Sequence, residues 1–128
     1  MRYLLDTHTA LWAFDNKAKL SASVQHIIDD TSAPLHISAA SVWEVAIKIS
    51  IGKLNFEGGT VEFLNKIRQN GIELLSLKDS YLVYVETMPF LHRDPFDRLI
   101  IATAVTENLI ILTADENIRK YDATWLWN

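Results

Sequence analysis

The sequence predicts an α/β fold in which helices cover both faces of a mainly parallel sheet. Short apolar runs, typical of buried strands, alternate with longer stretches of helical periodicity along the chain. The run at residues 109–112 is apolar throughout and too short for a helix, as expected for a strand buried on both faces. With 128 residues, 49% of them hydrophobic, the chain can form one domain with a substantial core, over residues 1–128.

Five strands are predicted from the short apolar runs. The first follows the N-terminal residues, and the last contains two of the four tryptophans. They lie at residues 2–5, 35–37, 72–77, 109–113 and 124–127.

Helix boundaries are predicted from caps, glycines and prolines. The strongest helix begins at Asp94-Pro95, an N-cap followed by proline at the first helical position, and runs to about Asn108. The second helix and the third helix each have two serines at which they could begin. The other predicted helices are residues 7–14, Ser21 or Ser23 to Ile28, Ser38 or Ser41 to Gly52, Thr60 to Gly71, 79–87 and 115–120.

Four acidic residues are predicted to share one edge of the sheet. Asp6 and Asp115 follow strands, Asp97 begins a helix, and Glu44 lies early in another helix. Ligands of such sheets bind at the carboxyl ends of the strands. Because clustered carboxylates repel one another, a fold that gathers four of them usually recruits a hard cation such as Mg²⁺. The pattern favours a metal-dependent enzyme that acts on phosphates.

Each acid also has a structural alternative. Asp6 and Asp115 can cap the helices that follow them, and Asp97 can complement a helix dipole. Glu44 can form a surface ion pair with Lys48, four residues later. We assign Asp94 to capping and Asp97 to chemistry, because only Asp97 would be free to turn toward the sheet edge.

The composition of the chain argues against several classes of protein and site. The net charge of −4 argues against a protein that coats nucleic acid, but not against a nuclease with clustered acids. No apolar segment is long enough for a membrane helix and no signal-peptide pattern is present, so we expect a cytoplasmic protein. Without cysteine there is no disulfide or thiolate site.

Two other phosphate-handling classes fit less well. A phosphatase of the haloacid-dehalogenase type needs a second aspartate two residues after the first, where this chain has His8. A response-regulator receiver needs an aspartate after its third strand, and the middle of this chain has Asn55, Glu57 and two glycines.

The acids lie within motifs that resemble the PIN-domain family, in particular its VapC-type branch of ribonuclease toxins. The resemblance extends from Met1 to Trp127, and the string around Asp97 is its most specific part. The motifs are LLDTH at residues 4–8, SAASVWEVAIK at 38–48, GKL at 52–54, HRDPFDRLIIA at 92–102 and TAD at 113–115.

The resemblance implies a three-layer α/β/α sandwich and Mg²⁺- or Mn²⁺-dependent cleavage of RNA. It assigns Asp6, Glu44, Asp97 and Asp115 as catalytic residues and metal ligands. It further implies a cognate antitoxin, which is a small DNA-binding protein, and a homodimer. A DNA- or structure-specific nuclease and a non-catalytic interaction module of the same fold stay open as alternatives.

Further side chains are candidates for supporting roles. Lys48, Arg93 and Arg98 could contact substrate phosphates, although surface ion pairs explain them equally well. We expect His8 and His92 to pack or hydrogen-bond, since neutral imidazole is a poor ligand for Mg²⁺. Two threonines could assist through their hydroxyls, and three apolar residues could contribute to a groove for an antitoxin helix. These are Thr7 and Thr113, and Leu11, Trp12 and Phe14.

Overall fold

A computed structural model of the chain describes all residues from 1 to 128. Its five strands form a single sheet in which every neighbouring pair is parallel, in the order β3-β2-β1-β4-β5. The strands are β1 (Tyr3–Leu5), β2 (Leu35–Ser38), β3 (Glu73–Leu75), β4 (Ile110–Leu112) and β5 (Trp125–Leu126). The predicted α/β class is confirmed, and the sheet is entirely parallel.

Seven α-helices connect and cover the strands. They are α1 (Thr7–Asp15), α2 (Ala22–Asp29), α3 (Ala39–Ser50), α4 (Gly59–Gln69), α5 (Asp79–Thr87), α6 (Pro95–Glu107) and α7 (Glu116–Arg119). A turn of 3₁₀ helix at Lys17–Lys19 follows α1. None of these helices combines the length and the apolar character that crossing a membrane requires.

Polar caps decide where the helices begin. Of the serine alternatives, Ser21 caps α2 and Ser38 caps α3, each accepting a hydrogen bond from a backbone N–H in the first turn. Asp94 caps α6 as predicted, because its Oδ1 accepts from the N–H groups of Phe96 (2.8 Å) and Asp97 (3.1 Å).

The alternation of side chains along the central strand divides the core between two faces. Leu5 points into a cluster with residues of α1 to α4, including Phe63, while Leu4 points into a cluster with residues of α5 to α7, including Tyr81. All four side chains are fully buried. Helices therefore cover both faces, and the predicted three-layer α/β/α sandwich is confirmed.

β3 is shorter than predicted from the apolar run at residues 72–77. Its first predicted residue, Ile72, donates its N–H to the carbonyl of Ile67 in α4, 3.0 Å away, and so cannot join the strand. Gly71 makes this reversal possible at a φ of 68°, in the left-handed region that favours glycine. β3 is also an edge strand that pairs only with β2, which limits its length.

The strand order creates a topological switch point between β1 and β4. From β1 the chain moves to β2 and β3 on one side, and later to β4 and β5 on the other. Such a switch point leaves a crevice at the carboxyl ends of the two strands, where doubly wound sheets bind their ligands. Asp6 directly follows β1, and Thr113 and Asp115 follow β4, so these residues flank the crevice.

Candidate active site

The four predicted acids come from four different parts of the chain, and three of them act electrostatically on the fourth, Asp97. Asp97 lies in the first turn of α6, and its side chain is 13% exposed. Burial raises the pKa of Asp97 to about 8, and the negative charges of Asp94, Asp115, Glu44 and Asp6 contribute to that increase. The fold therefore brings Asp6, Glu44 and Asp115 near enough to Asp97 to affect its pKa, and Asp94 contributes more than any of them.

Asp6 serves as both helix cap and buried acid. Its Oδ1 accepts from the N–H of Thr9 at 2.8 Å, as the capping interpretation predicts, and its Oδ2 accepts from the hydroxyl of Thr113. Burial raises the pKa of Asp6, while these hydrogen bonds and the nearby His8 oppose the increase. Since the residue is 4% exposed, the carboxylate is held rigidly at the end of β1.

Glu44 is buried rather than part of a surface ion pair. It is 3% exposed, its Oε2 accepts from Nζ of Lys48 at 2.7 Å, and its Oε1 accepts from Thr7 at 2.7 Å. The hydrogen bond to Glu44 raises the pKa of Lys48, as does the negative charge of Asp97. The predicted ion pair exists, but it joins a buried carboxylate to a lysine that is partly exposed to solvent. It holds the carboxylate in one orientation.

Thr113 connects two of the acids. Its hydroxyl donates to Asp6 and accepts from the backbone N–H of Asp115 at 3.0 Å. The Asp115 side chain in turn accepts from the N–H of Asn117 at 2.8 Å and caps α7. The hydroxyls of Thr7 and Thr113 thus position Glu44 and Asp6, which sequence spacing alone could not establish.

Replacing Thr113 by valine is expected to destabilise the protein by about 2 kcal/mol, because hydrogen bonds to charged groups contribute about 1.5–3 kcal/mol. The isosteric change leaves Oδ2 of Asp6 and the N–H of Asp115 without their partners. The free energy of unfolding in urea at pH 8 measures the effect.

Thr103→Val is the matched control for that measurement. Thr103 is also fully buried, but its hydroxyl donates only to the carbonyl of Leu99, one turn earlier in its own helix, at 2.7 Å. Such a local bond adds little stability, so we expect a loss below about 1 kcal/mol. Equal losses in the two variants would contradict the role of Thr113.

His92 and Asp94 extend the acid site on the side of Asp97. Nε2 of His92 lies 3.0 Å from Oδ2 of Asp97, and one ligand atom from each of the three residues lies within 4.8 Å of the others. No three acids of the predicted quartet lie as close together. His92 therefore hydrogen-bonds within the site. Asp97 belongs both to the predicted quartet of acids and to the group formed with His92 and Asp94.

The basic candidates differ in position. Arg98 is 9% exposed, and its guanidinium donates to the carbonyls of Pro89 (3.1 Å) and Val85 (3.3 Å) and to the hydroxyl of Tyr121 (3.1 Å). These contacts commit Arg98 to holding the α5–α6 connection and leave it unsuited to the predicted phosphate contact. Arg93 is exposed, and Lys48 borders the acids.

The apolar groove predicted along α1 is replaced by a mixed cleft. Leu11 is 7% exposed and belongs to the core, and Phe14 packs edge-on against Phe63 with ring centroids 5.4 Å apart. The cleft beside α1 is lined by four apolar residues, among them Leu11 and Trp12, together with seven polar or charged ones. The helical period of α1 explains the difference, because it turns Leu11 toward the core and Phe14 toward Phe63 of α4.

Comparisons with known proteins agree with this architecture. The family model described as PIN domain matches residues 3–124. No curated protein matches the sequence. The structure of VapBC2 from Rickettsia felis bound to a DNA fragment from its promoter is similar with a TM-score of 0.76, 16% identity and full coverage of both chains.

Two further complexes have the same fold. DNA-bound VapBC from Salmonella typhimurium matches with a TM-score of 0.71 and 16% identity, over 98% of this chain and 96% of that one. FitAcB from Neisseria gonorrhoeae matches with a TM-score of 0.66 and 17% identity, over 98% and 96%. The family model covers every helix and strand except β5. This chain therefore belongs to the PIN domain family.

Proposed function

We propose that the protein is a divalent-metal-dependent endoribonuclease and the toxin of a type II toxin–antitoxin pair, of the VapC type. The observation that carries the proposal is that four carboxylates from four elements lie near the switch point of the sheet, where the negative charges of Asp6, Glu44 and Asp115 help to raise the pKa of Asp97. Membership of the PIN domain family supports a hydrolase that acts on nucleic acid. The similarity to VapBC complexes supports the assignment to that type of toxin.

The donor set fits a hard divalent cation. Carboxylate oxygens are the ligands that Mg²⁺ and Mn²⁺ prefer, and burial and mutual repulsion of the acids keep a proton on Asp97 up to a pH of about 8, the value of its pKa. A positive counter-charge would relieve this repulsion. Asp6, Glu44, Asp97 and Asp115 would hold the ion, and a bound ion supplies Lewis-acid polarisation of the phosphate and a more acidic water.

The chain itself contributes position and charge. Hydrogen bonds from Thr113 and Thr7 fix the orientation of the Asp6 and Glu44 carboxylates. Lys48 neutralises part of the charge of Glu44 at the border with solvent. No serine, cysteine or threonine is needed as a nucleophile. Attack by water with the 3′-oxygen as the leaving group leaves a 5′-phosphate and a 3′-hydroxyl.

The same comparisons support an antitoxin as the protein partner. A cognate antitoxin would bind the toxin, as in the VapBC structures. We also propose a homodimer, because large apolar side chains of α5 and of the segment after it are exposed, including Val83 (64%) and Phe90 (69%).

Incubation of total RNA with the purified protein tests the function. We expect cleavage with Mg²⁺ or Mn²⁺ and none with a chelator, and sequencing of the ends should give 5′-phosphates. Cleavage that persists in chelator would contradict the assigned chemistry. Cleavage of single-stranded DNA alone would favour the DNA nuclease, and RNA binding without cleavage would favour the interaction module.

A further inference from the structure

A basic cleft lies beside the acid site, although the chain as a whole is acidic. The cleft has a volume of about 530 Å³ and lies between α1 and α3 and the segment that follows α3. Three lysines line it, Lys19, Lys48 and Lys53, against one acid, Asp15. Lys19 is distant in the sequence from Lys48 and Lys53, and the fold brings it to them in a protein whose net charge is −4.

The basic cleft adjoins the crevice beside the acids, and two residues line both cavities. A smaller cavity of about 230 Å³ is lined by Asp6 and Asp115, and it shares His8 and Trp12 with the basic cleft. On the other side, Thr7 lines the basic cleft and donates to Glu44. A polymer with one phosphate among the acids would therefore pass His8 and Trp12 and enter the basic cleft.

Two of the three lysines have no internal counter-charge. Lys48 is held by Glu44, whereas Lys19 and Lys53 are exposed and form no ion pair. Nζ of Lys19 lies 5.8 Å from the ring centroid of Trp12. By contrast, Lys17 is paired with Asp29, at 2.9 Å. The free ammonium groups in the basic cleft are thus available to an anionic ligand.

We propose that the basic cleft binds the single-stranded RNA next to the scissile phosphate, with Lys19 and Lys53 contacting backbone phosphates. Trp12 and His8 border the path and offer ring faces to a base. The cleft has a volume of only about 530 Å³, which is too small to enclose a duplex, so the form of RNA that fits it is an unpaired strand. This inference rests on the proposed ribonuclease function.

Binding measured without cleavage tests the proposal. The protein carrying Asp97→Asn is titrated into a fluorescently labelled, unstructured RNA, with Mg²⁺ present and at several salt concentrations. We expect Lys19→Gln combined with Lys53→Gln to weaken binding about tenfold at low salt. The slope of log affinity against log salt should become shallower by about 1.4, because each phosphate contact on a single strand contributes about 0.7.

The control removes the same charge elsewhere. Arg68→Gln combined with Lys120→Gln changes two exposed cations that line neither cavity, and it should leave the slope nearly unchanged. An equal effect of both pairs of substitutions would overturn the proposal, since only the general field would then matter. Competition by duplex RNA as strong as that by the single strand would also overturn it.

The outcomes separate this inference from the proposed function. If Asp97 is required for cleavage but the lysine substitutions change neither affinity nor slope, the basic cleft is not the RNA path and the ribonuclease stands. If the lysine substitutions weaken RNA binding but the unmodified protein never cleaves RNA, the ribonuclease proposal fails and the basic cleft remains an RNA-binding site.

Discussion

Replacement of Asp97 by asparagine is expected to lower the rate of RNA cleavage about a thousandfold or more. Asp97 is the acid on which the charges of Asp6, Glu44 and Asp115 converge, and the amide cannot supply a negative charge to a cation held there. Loss of about 4 kcal/mol of transition-state stabilisation corresponds to this factor. The measurement is the single-turnover rate on a short RNA at saturating Mg²⁺.

The side chain of asparagine has nearly the same shape and can still hydrogen-bond to His92, so the fold should survive. Asp122→Asn is the matched control, because Asp122 is exposed and remote from both cavities. We expect it to cleave within about twofold of the unmodified protein. A variant Asp97→Asn that cleaves at the original rate would remove the basis for the catalytic assignment.

The metal-free protein is expected to become less stable as the pH rises from about 4 to about 8, through ionisation of Asp97. The folded pKa of about 8 lies above the ordinary value of 3.8, so the folded chain keeps a proton that the unfolded chain releases. The stabilisation is complete below pH 3.8 and is lost as the pH approaches 8. Each unit of pKa difference between the folded and unfolded states corresponds to about 1.4 kcal/mol of stability. Because the site can relax, we expect the total loss of stability over this pH range to be about 2–3 kcal/mol.

Urea unfolding in chelator, compared between the unmodified protein and Asp97→Asn, isolates this contribution. The amide carries no titrating proton, so the variant should be about 2 kcal/mol more stable at pH 8 and equal at the acid end. Mg²⁺ at about one hundred times its Kd should add about 2.7 kcal/mol to the unmodified protein and much less to the variant. Parallel stability curves with no response to Mg²⁺ would contradict a shared acid site.

Local patterns were sufficient to predict the architecture. Apolar runs located five strands, and caps such as Asp94 located the helix that carries Asp97. Asp6 and Asp115 could be placed at one edge because both follow strands of a predicted parallel sheet. These inferences depend only on neighbours along the chain and on the general topology of alternating elements.

Tertiary partners could not be predicted in the same way. Arg98 follows Asp97 directly, but consecutive helical residues point about 100° apart, so Arg98 turns toward Val85 and Pro89 instead of the acids. The hydroxyl of Thr113 reaches Asp6 across more than one hundred residues of sequence. Lys19 and Lys53 could not be grouped from the sequence, because nothing in their spacing reveals that α1 and the end of α3 border one cleft.

Three of the four acids are also helix-start residues, and this has a consequence for mutagenesis. Asp6 and Asp115 cap α1 and α7, and Asp97 occupies the first turn of α6. Alanine at a cap position costs about 1 kcal/mol because it leaves a backbone N–H without an acceptor, whereas asparagine keeps that acceptor. Truncation to alanine would therefore mix misfolding with loss of chemistry, and amide replacements are the informative ones for toxicity assays in living cells.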